Sequence, residues 1–229
     1  DTVKEWVDPF FAAIGSGGTP SFIEAWGGVI GYTVQIYFDF SGYSDMAIGA
    51  ALMLGIRLPL NFNSPYKATS VADYWRRWHM TLGRWLKEYL YIPLGGSRCS
   101  RSRQYANLML VLLIAGLWHG AGWNYILWGG VHGVFLCINH AWRTGWGSRL
   151  PRARLLTLCY LLLTLGCVAI ARVFFRCPDI ATAMATLQAM AGQHGLSLPQ
   201  AQAQSPLGAL ANTGVLFNGL GGMAGMALP

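Results

Sequence analysis

His119 stands in Gly-Leu-Trp-His-Gly-Ala-Gly-Trp-Asn (116–124), between the apolar runs Leu108–Leu117 and Trp123–Cys137. Imidazole titrates near neutral pH and can take a proton from a hydroxyl. Gly120 and Gly122 would let backbone or substrate approach closely. A histidine donating a structural hydrogen bond between helices fits the same residues, and local sequence leaves both readings open. His79 ends Tyr-Trp-Arg-Arg-Trp-His (74–79), forty residues earlier. It could line an entrance leading to His119, or shield a helix edge at the headgroups. Asn124, His132 and Asn139 fall within about 80° of one another on a helical wheel. A polar stripe on an apolar helix should face a bundle interior or a water-filled path, although helix–helix adhesion is the preferred reading of Asn139. Asp39, Tyr43 and Asp45 lie in Tyr-Phe-Asp-Phe-Ser-Gly-Tyr-Ser-Asp (37–45). That suggests a polar site at a helix break, though Asp45 also suits a helix cap.

Other chemistries find less support. There is no nucleophile elbow, phosphate loop or metal motif, and cofactor-binding residues are not identified. Haem held by His119 and His132 is set aside, because thirteen residues of continuous helix separate ligands by about 20 Å. The five cysteines, Cys99, Cys137, Cys159, Cys167 and Cys177, are odd in number and lack a Cys-x-x-Cys pair. They read as small hydrophobes.

The elements that must position these groups look membranous. Hydrophobic residues make up 54% of the 229, and charged residues only 11%, against about 25% in a typical soluble domain. The net charge is +7. In such a chain, basic clusters mark cytoplasmic loops before they mark a nucleic-acid surface, and no nucleic-acid partner is expected. Membrane lipids are.

Residues 1–20 read as a polar lead-in ending in a loop. Ser21–Phe40 is long enough for one hydrocarbon thickness, about 30 Å. Ser41-Gly42-Tyr43 should interrupt it, leaving Ser44–Ile56 as a short or re-entrant helix, followed by a loop to Asp73. Tyr74–Tyr89 sorts into a Trp/Tyr-rich face and a cationic face, the pattern of one helix lying in the membrane interface. Two basic loops follow, one with Arg98, Arg101 and Arg103, the other with Arg143, Arg149, Arg152 and Arg154. Both belong in the cytoplasm by the positive-inside rule, so the chain between them enters the membrane and returns, with His119 at its far part. Leu155–Phe175 is the clearest span. Ala181–Ala191 should form a short amphipathic helix carrying Met184, Leu187 and Met190. Leu207–Leu228 could be a further membrane segment. The expected fold class is therefore all-α: a polytopic transmembrane helical bundle with re-entrant or short helices and an interfacial amphipathic helix.

Five blocks recur in an order that carries a resemblance: Tyr37-Phe-Asp-Phe-Ser-Gly-Tyr-Ser-Asp-Met46, Asn61-Phe-Asn-x-Pro-Tyr66, Tyr74-Trp-Arg-Arg-Trp-His79, Tyr89-Leu-Tyr-Ile-Pro-Leu-Gly-Gly-Ser97 and Gly116-Leu-Trp-His-Gly-Ala-Gly-Trp123. The chain resembles the membrane-bound O-acyltransferase family, and most of all its bacterial alginate O-acetylation branch. Val173-Phe-Phe-Arg176 fits the family's later pattern. The resemblance implies a multi-pass protein of the bacterial cytoplasmic (inner) membrane, with His119 as the family histidine and His79 as the second histidine of this branch. It implies an acetyl group passing from a cytoplasmic donor, acetyl-CoA or another acyl thioester, towards an extracytoplasmic polysaccharide hydroxyl. His119 would serve as catalytic base, and a periplasmic acetyltransferase partner would complete transfer. No bound cofactor is implied. Asp39, Asn124, His132, Trp118 and Tyr43 are the substrate-path candidates. Alternatives are a D-alanyl, lipid or protein acyltransferase of the same family, or a non-catalytic channel or scaffold relaying acyl groups or polymer. Residues 1–229 are expected to be part of one such transmembrane domain, with its motif core at about 30–133 and N-terminal and possibly last helices lying outside this chain.

Overall fold

The computed structural model describes residues 2–145, 147 and 153–197, and every regular element among them is helical. The order is α1 (Thr2–Gly15), α2 (Phe22–Met53), a 3-10 turn (Pro65–Lys67), α3 (Val71–Trp75), α4 (Met80–Trp85), a π-helical segment (Leu86–Tyr91), α5 (Arg101–His119), α6 (Trp123–Thr144), α7 (Arg154–Arg176) and α8 (Ile180–Met190). The described residues divide into two compact units, one of residues 2–36 and 172–197, the other of the described residues between 37 and 171.

The first unit corrects the reading of residues 1–20 as a polar lead-in. Thr2–Gly15 is a helix, and it buries Val7, Phe10, Phe11 and Ile14. That spacing is one face of a helix, hidden from a composition reading by Pro9 and the polar residues around it. Gly28 makes room for Phe10, whose ring a β-carbon there would strike. Arg176 ends α7, pairs with Asp8 at 2.7 Å, and lays its guanidinium over Phe11 at 4.8 Å and Tyr32 at 5.7 Å. The last of the Val-Phe-Phe-Arg residues thus serves as a tie to α1. Helix α8 matches the expected short helix, but its buried face is Thr182, Ala183, Thr186, Ala189 and Met190. Met184 is 45% exposed. Asp179 caps it by accepting from the Thr182 amide at 2.7 Å, and that bond holds its carboxyl below the usual carboxylate range.

Two expectations about helix breaks also change. Helix α2 runs without interruption through Ser41-Gly42-Tyr43, so Ser44–Ile56 is no separate re-entrant helix. A single glycine costs a helix only about 1 kcal/mol, and hydroxyls of this helix bond back to its own carbonyls, as Thr33 does to Val29 at 2.7 Å. Conversely, Tyr74–Tyr89 is three pieces: the end of α3, then α4, then the π-helical segment. Helix α7 confirms the expected span in length and composition, and it alone among the described helices is long and apolar enough to cross a membrane by those criteria. Leu207–Leu228 lies outside the described residues.

In the second unit α5 and α6 form an antiparallel hairpin around Gly120-Ala121-Gly122. Their backbones touch. A β-carbon on Gly116 would strike the Tyr125 carbonyl, one on Gly129 the Leu112 carbonyl, and one on Gly133 the Met109 sulfur. Small residues at such crossings are how helices meet closely where burial of apolar surface offers little drive. Helix α5 also packs Val111, Leu112 and Ala115 with Leu86, and Trp75, Leu82, Leu90 and Leu136 lie around them.

Gly129→Leu should therefore force the hairpin apart, lowering stability by about 1–3 kcal/mol or more, read as a drop in melting temperature or folded yield in detergent. Gly49→Ala in α2, where no atom lies within 4 Å of the added carbon, should match or slightly exceed the parent protein.

Candidate functional site

His79 is built into a turn that a side chain rarely adopts. Its φ is 44° and ψ 55°, the left-handed region, which costs a non-glycine residue roughly 1 kcal/mol or more. The conformation persists because its neighbours are tied on both sides. Asn63 donates its amide to the Arg77 carbonyl and Met80 donates to the Asn61 carbonyl, both at 2.9 Å. The Asn61 side chain accepts from Thr81 twice, from its amide at 3.3 Å and its hydroxyl at 3.0 Å, and donates to the Ser44 hydroxyl at 3.3 Å. Arg77 is braced by Asp73 at 2.9 Å and by the Asn63 carbonyl at 3.3 Å. Three of the five sequence blocks are thus stitched together around one residue. This is also the physical reason for the broken Tyr74–Tyr89 helix. A left-handed residue cannot continue a right-handed ladder, and Asn61 supplies the bonds the ladder would have made.

The turn fixes the chemistry of the His79 ring. Nδ1 accepts the Leu82 amide at 3.3 Å and so caps α4. A neutral ring with Nδ1 accepting carries its proton on Nε2. Burial pushes the pKa of His79 below its usual value of 6.5. It lies between two helices too short to span a membrane, and it is neutral at pH 7.

His119 is the last residue of α5, part-buried at the tip of the hairpin. Its ring meets Trp118 at 4.8 Å and Trp128 at 5.0 Å, both edge-to-face. The carbonyl end of α5 favours positive charge there. The glycines after it serve the chain's own packing: a β-carbon on Gly120 would strike the Tyr125 ring, and one on Gly122 the Asn124 amide oxygen. Of the close approaches these glycines could permit, the chain's own Tyr125 and Asn124 side chains make them.

The two histidines belong to one closed circuit of ring contacts. It runs His79, Phe40, Phe62, Trp78, Tyr74, His132, Trp128, His119, Trp118 and back to His79, with centroids between 4.8 and 6.4 Å apart. On its short side only Trp118 stands between His79 and His119. The chain therefore brings together His79, His119, Trp118 and His132, with Asn124 buried at the start of α6 beneath Gly122. Asp39 and Tyr43 are placed otherwise, on the exposed side of α2, Tyr43 being 66% exposed. A groove of about 1030 Å³ between residues 69–76, the second half of α6 and the first half of α7 is lined by Arg76, Asn139, Arg143 and Tyr160. Of the polar stripe it includes only Asn139, and none of His79, His119, Trp118, Asn124, His132, Asp39 or Tyr43. Asn61 and Trp75 stand in the ordered sequence blocks but were given no role of their own, and Trp128 was not singled out. Its signal was its place four residues before His132, one helical turn away.

The ring circuit joins residues of four of the five sequence blocks in space, and comparison with known proteins gives the family. Residues 18–181 match the model of MBOAT, the membrane-bound O-acyltransferase family. The chain belongs to that family. It is 49% identical over 178 residues to a peptidoglycan O-acetyltransferase of Helicobacter pylori, covering 78% of this chain and 33% of that protein. It is 43% identical over 190 residues to the probable alginate O-acetylase AlgI of Pseudomonas aeruginosa, covering 83% and 35%. A teichoic acid D-alanyltransferase of Streptococcus thermophilus is 33% identical over 118 residues, covering 48% and 28%. The chain thus spans about a third of the length of these MBOAT relatives.

Asn61→Ala should strip Thr81 and Ser44 of partners and lower stability by roughly 1–3 kcal/mol, measured by thermal melting. Because the folded-state pKa of His79 lies below 6.5, the unfolded chain takes the proton first as pH falls. Stability should therefore decline from about pH 6.5 downward through the folded-state pKa, and His79→Gln should flatten that part of the pH–stability curve.

Proposed function

We propose that the full-length protein is a polytopic bacterial inner-membrane acyltransferase that moves an acetyl group from a cytoplasmic thioester, acetyl-CoA or a close analogue, towards a hydroxyl of an extracytoplasmic polysaccharide such as alginate. The observation that carries this reading is His119: part-buried at the hairpin tip, flanked by two indoles, and one ring away from a neutral His79 whose proton is on Nε2. These two imidazoles suit complementary tasks. His119 takes the proton as the acceptor hydroxyl attacks the thioester carbonyl. Trp118 and Trp128, both edge-to-face with it, hold the imidazole in place as it takes the proton. His79 Nε2–H donates to the carbonyl oxygen as it gains negative charge. Collapse of the tetrahedral adduct expels the thiolate, which takes the proton from His119 and leaves as the thiol.

Membrane orientation supports the direction of transfer. The positive-inside rule puts the segments around Arg98–Arg103 and Arg143–Arg154 in the cytoplasm, so the hairpin between them reaches towards the other face. The names of the relatives, an alginate O-acetylase and a peptidoglycan O-acetyltransferase, support an extracytoplasmic polymer. A periplasmic partner that receives the acetyl group and completes transfer fits the same scheme.

His119→Ala in the full-length protein should reduce polymer-bound acetyl by about 10²–10⁴-fold at unchanged protein level, measured in cells that make the polymer. Undiminished acetylation would overturn the assignment. A purified wild-type protein that consumes no acyl thioester would instead favour a channel or scaffold.

A further inference from the structure

His132 is the third histidine of the circuit, and the mechanism above does not use it. It is 2% exposed, in the middle of α6. Trp75 of α3 donates its indole N–H to His132 Nδ1 at 3.3 Å. An indole nitrogen can only donate, so Nδ1 is an unprotonated acceptor and the ring is neutral with its proton on Nε2. Aromatic rings fix the plane as the hydrogen bond fixes the edge. Tyr74 lies parallel to the imidazole, 2° apart at 6.3 Å, and Trp75 and Trp128 meet it edge-to-face at 5.2 and 5.0 Å. Trp128, one turn earlier on α6, meets His119 at 5.0 Å with its own ring.

We propose that His132 is a positioning residue for acyl transfer: with Trp75 it sets the orientation of Trp128 and, through that indole, of the His119 imidazole. The inference rests on the reading of His119 as the base. The same joint ties α6 to α3, and α3 leads within four residues to His79. One part-buried hydrogen bond thus holds both imidazoles of the proposed centre in register. An apolar residue would fill the space of His132, but it would leave the Trp75 and Trp128 rings free to choose other rotamers. Burying a polar ring has a desolvation cost that only a satisfied partner offsets, so the pair specifies one arrangement where packing alone would admit several.

The test uses full-length protein in lipid nanodiscs, with acyl-thioester turnover and melting temperature measured on Trp75→Phe, His132→Leu and His132→Asn. The first two remove the hydrogen bond, and the third keeps an acceptor near the Nδ1 position. Misplacing a catalytic group by about 1 Å can cost up to about 10²-fold. Trp75→Phe and His132→Leu should each lower kcat roughly tenfold or more with KM for the thioester unchanged. The double variant should lose no more than either single one, and His132→Asn should recover most of the rate. A role in packing alone would lower melting temperature and folded yield while sparing kcat per folded molecule, and that result overturns the proposal. So does His132→Asn turning over as slowly as His132→Leu at equal melting temperature. If the His132 variants do not fold, Trp75→Phe decides, and full kcat there overturns it. A His119→Ala control separates the two readings. Full turnover in His119→Ala sinks the base assignment, whereas loss there with full turnover in Trp75→Phe sinks this inference alone.

Discussion

The backbone contact between α5 and α6 is the constraint on which the rest of the second unit depends. Gly116 and Gly129 let the two helices touch without intervening side chains. The hairpin can then close in the three residues between His119 and Trp123, which leaves His119 at a helix end. The same closeness puts Trp128 and His132 within ring contact of residues from α3 and from the tip of α5. Any residue larger than glycine at these two positions would shift α6, and with it Trp128, relative to His119.

A second constraint is backbone strain at His79. A left-handed histidine is unfavourable by itself, and it persists because Asn61, Asn63, Ser44 and Thr81 over-determine it. These bonds fix the backbone from which the ring projects, and the Leu82 amide fixes the ring itself through Nδ1. That last bond also consumes Nδ1 as a helix cap. The two imidazoles are therefore unequal before any substrate arrives: one presents a donor, and the other ends a helix whose carbonyls favour positive charge.

Much of this was legible in residue patterns. Helices α5, α6 and α7 announce themselves as apolar runs between basic clusters, and His119 stands out because a titratable residue among glycines and tryptophans has few bland explanations. Of the Asn124, His132 and Asn139 stripe, Asn124 and His132 are buried, while Asn139 is part-buried and lines the groove beside α7. The failures have physical causes too. Helix α1 was missed because its four buried residues are spaced among polar ones and a proline. The break expected at Ser41-Gly42-Tyr43 did not occur, since weak local helix preference is readily overridden by packing. The long helix expected at Tyr74–Tyr89 was broken by bonds from Asn61, a residue more than ten positions away that no local window contains.

Sequence alone determined the chemistry on offer: which groups can titrate, that they sit in an apolar chain, and that five ordered blocks mark the membrane-bound O-acyltransferase family. Those properties depend on residue type and spacing, which are written along the chain. Tertiary structure decided which of the candidates meet. Asp39 and Tyr43 looked as promising as His132, yet helix continuity through Gly42 leaves them on an exposed face, while His132 and Trp75 close against each other. Proximity of that kind arises from backbone contacts at glycines and from long-range hydrogen bonds. Neither has a signature in a local stretch of residues, because each is a relation between segments that only folding brings together.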